Sequence, residues 1–170
     1  MKPKHVFILI FSLFSIISCE KHSDQDPVFP IDSFYFNSFE SSSDTAGWYG
    51  ISVDDIVDEA PIVGGKYSLE VSGGCVSPHA YYRFAPITED CSLVLKCWGK
   101  NLSNGGSISL YTENHPVSIH ISVSESLWTN YICEDTLHCI AGNTLRLELN
   151  SGGIISSAML IDQIEITEVD

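Results

Sequence analysis

Basic residues are scarce in this 170-residue chain: eight Lys and Arg stand against 22 Asp and Glu, a formal charge of −14. That imbalance argues against a nucleic-acid partner, whose phosphates it would repel, and against electrostatic adhesion to anionic lipid. It suits a self-repelling surface and permits cation binding. Amphipathic stretches of helical length are missing after residue 18, whereas Ser, Gly and β-branched residues are plentiful, which favours an all-β domain. Catalytic motifs are missing too. There is no nucleophile elbow, phosphate-cradling glycine loop or metallohydrolase motif, so the sequence reads as non-catalytic. Asp54, Asp55, Asp58 and Glu59 could supply an acid/base pair but read first as a solvated loop. No internal repeat is found, and the length suits one domain.

The amino end is organised differently. In Met1–Ser18 two lysines precede an apolar run of roughly a dozen residues, the plan of a secretory signal and too short to span a bilayer comfortably. Ile16-Ile17-Ser18-Cys19 follows and resembles a bacterial lipobox. The resemblance implies cleavage before Cys19, diacylation of that residue and acylation of the new N-terminus. Several acyl chains, at ~0.8 kcal/mol per buried CH₂, make a firm anchor. Glu20 rather than Asp after the cysteine implies the outer membrane, and Glu20, Lys21, Asp24 and Asp26 resemble the surface-export tether of some Gram-negative lipoproteins. Residues 19–31 are polar, carry Pro27 and Pro30, and read as a flexible tether ahead of a folded domain at 32–170.

Within that domain apolar residues alternate, the mark of half-buried strands. The alternation runs through Phe34–Glu40, Tyr67–Val71, His79–Phe84, Cys91–Trp98, Ile108–Thr112, Val117–Val123, Trp128–Cys133, Leu145–Leu149 and Ala158–Ile166. Asn104-Gly105-Gly106 marks a turn. About nine strands at roughly ten-residue spacing predict a two-sheet antiparallel β-sandwich or a barrel. In Ala158–Ile166 the pattern places Ala158, Leu160, Ile164 and Ile166 on one face, and Asp162 shares it. A carboxylate in an apolar row needs a metal ion or backbone donors, unless it lies wet at a strand rim.

Five cysteines follow Cys19: Cys75, Cys91, Cys97, Cys133 and Cys139. An exported compartment permits disulfides. Cys91 and Cys97 are too far apart along an extended strand to bond. Cys133 and Cys139 pair if Glu134–His138 forms a turn; buried free thiols acting as small hydrophobes are the alternative. Zinc sites from Cys75 with His79, or Cys133 with His138 and Cys139, lack the paired spacing of zinc motifs.

Several pieces, in order, resemble the carbohydrate-binding-module and galactose-binding-like jelly rolls. They are Phe39-Glu40, Gly47-Trp48, GKYSLEV at Gly65–Val71, LVLKCWGK at Leu93–Lys100, Trp128 with Tyr131, LRLEL at Leu145–Leu149, and LIDQIEI at Leu160–Ile166. The resemblance implies a jelly-roll sandwich whose first and last strands meet near a structural calcium. It maps the calcium ligands to Glu40 and Asp162, with carbonyl oxygens near Gly65 and Lys66. Gln163 stands where the family frequently has a second Asp, a departure that bears on affinity. Calcium suits such a set because it takes 6–8 oxygens in loose geometry.

If Leu93, Leu95, Ile108, Leu110, Ile119 and Ile121 are core, then Val94, Lys96, Trp98, Ser109, Tyr111, Ser118 and His120 point outward. Trp98, Tyr111 and His120, with Lys96, are the expected aromatic and polar platform for a glycan, since sugar C–H faces stack on rings while hydroxyls bond polar groups. Trp98 packing under a loop, or a flipped face assignment, is the alternative. Trp48 and Tyr49 are ring candidates on a loop, and Trp128 and Tyr131 read first as packing residues. The expected role is therefore a non-catalytic, lipid-anchored glycan binder, touching the membrane through its anchor alone. The second reading is a structural or adhesive accessory subunit that holds a protein partner.

Overall fold

Alternation of buried and half-exposed side chains sets nearly every element. In a computed structural model, which describes residues 33–74, 78–114, 117–153 and 156–169, these residues form twelve strands. They are β1 (Ser33–Asn37), β2 (Trp48–Tyr49), β3 (Ile56–Val57), β4 (Ser68–Ser72), β5 (Ala80–Pro86) and β6 (Cys91–Ser103). Then come β7 (Gly106–Thr112), β8 (Ser118–Val123), β9 (Thr129–Ile132), β10 (Leu137–Cys139), β11 (Thr144–Ser151) and β12 (Ala158–Val169). Single 3-10 turns occupy Ser42–Thr45 and Val53–Asp55. The leader, Cys19, the tether and Cys75 lie outside the described residues. Asn104 and Gly105 take φ of 62° and 70°, a left-handed pair at the tight turn by which the chain leaves β6 in one sheet and enters β7 in the other.

All pairings are antiparallel and fall into two sheets. One runs β10-β6-β12-β4-β3, with β9 beside β10 on the free edge of β6 and β1 beside β4 on β12. The other runs β2-β5-β11-β7-β8. The sheets pack face to face over Leu93, Leu95, Cys97, Ile108, Leu110, Ile119, Ile121, Leu145, Leu147 and Leu149, all in one apolar cluster. Each such side chain contributes about 1.5–3 kcal/mol by leaving water. The expected β-sandwich jelly roll is the observed architecture. The strands additional to the sequence reading are β2, β3 and β10, two or three residues each, too short for a period to register.

Strand β12 departs from its expected phase. Asp162 opposes Trp98 and Glu165 opposes Lys96, so Gln163 and Ile164 together face the single residue Cys97. This is a β-bulge, and Gln163 takes φ +45° within it. The extra residue switches the faces. Met159 and Ile161 enter the core before the bulge, and Ile164 and Ile166 enter it after. Leu160 and Asp162 therefore do not share the inward row with Ile164, as unbroken alternation predicts; they point out of the sandwich and are buried there.

The Cys133–Cys139 pairing does not form. Cys91, Cys97, Cys133 and Cys139 are free thiols, and Cys133 donates to the His120 carbonyl at 3.6 Å. Cys139 instead lies in β10 opposite Cys91.

Candidate functional site

The two carboxylates singled out by resemblance do come together. Glu40 follows β1 and accepts from two backbone N–H groups, that of Lys66 shared between both carboxylate oxygens (3.0 and 3.1 Å) and that of Tyr67 (3.0 Å). Asp162 is fully buried; its Oδ1 accepts from the Gln163 N–H at 2.7 Å, and its Oδ2 has no partner. Burial, reinforced by the charge of Glu40, lifts the Asp162 carboxyl to about 8. Gly64-Gly65 runs between the two acids. A Cβ at Gly64 would meet Asp162 Oδ2 at 2.1 Å, and one at Gly65 would meet the Glu40 carboxyl carbon at 2.5 Å. Gly65 also takes φ +89°. Only glycines let backbone approach both carboxylates this closely. The Gln163 amide donates to the Val63 carbonyl at 2.8 Å and ties this loop over the bulge. Among the described residues no group of three or more His, Cys, Asp or Glu is placed to hold a metal. An orphaned, buried carboxylate oxygen beside a second carboxylate fits a hard cation completed by backbone carbonyls or water.

The expected ring platform is split. Trp98 and Lys96 lie on the outer face of the seven-stranded sheet; Trp98 is half-buried beside Asp162, and Lys96 pairs with Glu165 at 3.8 Å. Tyr111 and His120 lie on the outer face of the five-stranded sheet, on β7 and β8. The inward and outward assignments along all three strands hold, but β6 and β7 join opposite layers across the Asn104-Gly105 turn, so Trp98 cannot meet the other two.

Tyr111 and His120 instead belong to an ordered outer face on the five-stranded sheet. Register places Tyr49, Tyr81, Glu148, Ser109 and His120 in one row across β2, β5, β11, β7 and β8. Four interstrand gaps make the row about 19 Å long. The neighbouring row is Arg83, Arg146, Tyr111 and Ser118. The rings of Tyr49 and Tyr81 stack at 4.7 Å and 10°, and the Arg146 guanidinium sits 3.9 Å from the Tyr81 ring centre. Two groups that close cannot share a face of Tyr81, so its ring is held between them. Tyr49, 59 % exposed on the edge strand, offers its other face. Arg146 binds Glu148 (2.9 Å) and approaches Glu113 (3.9 Å), which Arg83 grips at 2.8 Å. The Tyr111 hydroxyl donates to Glu148 at 2.9 Å; burial and that carboxylate raise it to about 12, so it stays a donor. Beside the tyrosine stack lies a cavity of about 460 Å³ lined by Tyr49, Gly50, Ser72, Gly74, Pro78, His79 and Tyr81.

Tyr49 is thus a strand residue and not a loop residue, while Trp48 is buried, with its Nε1 donating to the Tyr35 hydroxyl at 3.2 Å. The sequence reading did not single out Tyr81, Arg146 and Glu148, although HAYYRF and LRLEL already alternate them outward. The missing signal was which strands are neighbours.

No family model matches the chain, and no curated protein matches it. Solved structures do. The CBM22-1 xylan-binding domain of Paenibacillus barcinonensis Xyn10C aligns over 82 % of this chain and 96 % of that one, at TM-score 0.62 and 17 % identity. The CBM22-1-CBM22-2 tandem of the same protein aligns over 82 % and 46 % at TM-score 0.61 and 17 % identity. The CBM22-1-GH10 modules of Clostridium thermocellum Xyn10B, complexed with xylohexaose, align over 83 % and 29 % at TM-score 0.57 and 14 % identity. At such identities the likeness is one of fold: the chain is a two-sheet antiparallel jelly roll of the kind found in carbohydrate-binding modules.

Proposed function

We propose that this protein is a non-catalytic, lipid-anchored outer-membrane lipoprotein that binds a neutral glycan across the outer face of its five-stranded sheet. The observation that carries this reading is the Tyr49–Tyr81–Arg146 stack at the head of a row of hydrogen-bonding side chains. Tyr49 presents a rigid ring for a sugar C–H face, and Glu148, Tyr111, Ser109 and His120 continue along the line a chain of sugars would follow. Arg83 and Arg146 are each matched by Glu113 or Glu148, so no guanidinium is left to recognise an acidic glycan. The likeness in fold to a xylan-binding domain makes xylan the first probe. The lipobox-like Ile16–Cys19 supports the anchor and, with Glu20, the outer-membrane location.

A structural calcium ion held by Glu40 and Asp162 belongs to the same proposal. When bound, it would supply positive charge to the buried Asp162 carboxylate and to the half-exposed Glu40 carboxylate beside it. The chain's own part is to bury Asp162 under the Gly64-Gly65 backbone and to orient Glu40 through the Lys66 and Tyr67 amides.

Titration of xylan or xylohexaose into the full chain tests the reading. Tyr49→Ala should weaken binding about tenfold, the worth of one ring stack, and Trp98→Ala should leave it unchanged. Equal affinities of wild type and Tyr49→Ala would remove the site. Absence of binding to any neutral glycan would favour the accessory-subunit reading.

A further inference from the structure

We infer that Cys91 and Cys139 form a cross-strand disulfide when a low-molecular-weight disulfide is supplied, with Cys91 the thiol that reacts first. Cys91 opens β6, Cys139 closes β10, and antiparallel register sets them directly opposite. Two residues along, Leu93 and Leu137 oppose each other and are fully buried, so both cysteines share the inward face. Directly opposed residues bring Cβ atoms to about 4.5–5.5 Å, and a disulfide takes about 3.5–4.5 Å, so a small approach of β10 suffices. The Cys139 thiol donates to the Leu137 carbonyl at 3.8 Å, and the two cysteines lie near enough to perturb each other's titration. Cys97 and Cys133 are placed otherwise: Cys97 faces Tyr131, and Cys133 bonds the His120 carbonyl.

Access to the pair is one-sided. Cys139 is 2 % exposed. Cys91 is half-buried and opens onto a groove of about 460 Å³ shared with Phe34, Phe84, Pro86, Ile87 and Glu168. A small disulfide RSSR reaches Cys91 from that groove. The Cys91 thiolate attacks one sulfur, the S–S bond of RSSR breaks, and RS⁻ leaves with a mixed disulfide at Cys91. The Cys139 thiolate then attacks the Cys91 sulfur and expels the second RS⁻. Two protein thiols lose two electrons, RSSR gains them, and the two protons pass to the departing thiolates. Burial raises both thiols, Cys139 to about 12, which slows exchange near neutrality. The product ties a three-residue strand to the longest strand of its sheet.

The test uses the full chain, reduced, desalted and incubated with oxidised glutathione at about pH 8.5, near the ordinary thiol pKa. Remaining thiols are alkylated and the peptides mapped by mass spectrometry. The expected result is one cross-linked peptide joining Cys91 to Cys139 and a higher Tm, reversed by dithiothreitol. Cys139→Ser should stop at a glutathione adduct on Cys91; Cys91→Ser, at a half-buried position, should give neither adduct nor cross-link at Cys139. Alkyl label on both cysteines after oxidation, or a bond from Cys91 to another cysteine, would overturn the pairing. A glutathione adduct on Cys139 in Cys91→Ser would overturn the order of attack.

Discussion

At the scale of one residue, Asp162 is the least comfortable group in the domain. A buried carboxylate oxygen without a partner costs several kcal/mol while it stays charged, and Glu40 beside it adds repulsion. Asp162→Asn keeps an acceptor for the Gln163 N–H and removes the charge. With chelator present the variant should gain about 2 kcal/mol, a rise of several degrees in Tm. Added calcium should raise the Tm of the wild type and leave that of Asp162→Asn where it was. A calcium-induced rise in the variant equal to the wild-type rise would exclude Asp162 as a ligand.

At the scale of an element, the bulge in β12 decides which side chains the strand sends inward. Deleting Gln163 removes the extra residue, so plain alternation would then keep Met159, Ile161, Ile164 and Ile166 all inward, while the Gln163 bond to the Val63 carbonyl is lost. The deletion should keep a cooperative thermal transition seen by circular dichroism, at a lower Tm because the loop tie is gone; loss of the transition would mean that the bulge itself is needed for β12 to pair with β6. This element also marks where reading the sequence stops. Period two identified β12 as a strand and named both Asp162 and Ile164 as consequential, but a one-residue insertion in a ladder is defined by the partner strand β6, which the local pattern does not contain. The same limit explains the proposed glycan face. The leucines of LRLEL told that Arg146 and Glu148 point outward, and HAYYRF told the same of Tyr81. That β2, β5 and β11 are neighbours, so that Tyr49, Tyr81 and Arg146 stack, is a property of topology. Trp98 was misplaced for that reason alone: its direction was legible and its sheet was not. Glu40 and Asp162 were reached through a family resemblance, because 122 positions of chain separate them and no local period links residues so distant.

At the scale of the whole molecule, the two outer faces are assigned different work, and the assignments separate experimentally. Calcium removal should lower the Tm, yet well below the transition it should leave the dissociation constant for xylohexaose unchanged, since Glu40 and Asp162 belong to the opposite layer from Tyr49. Calorimetry with and without chelator reads both quantities; a large affinity loss on chelation would couple the faces. Charge gives a further expectation. On a surface of −14 with its arginines matched, a polyuronate should bind more weakly than a neutral glycan at low salt, and the gap should narrow as salt screens the repulsion. A polyuronate that binds tighter at low salt would contradict the proposed ligand class. Strand β1 has a mechanical meaning as well. Its backbone is laced to β12, while Phe34 and Tyr35 press against Phe84 and Tyr82 of the opposite layer. If the chain is held ahead of Ser33 and grips a polymer on the far layer, as proposed, tension between the two would enter the fold through these five residues.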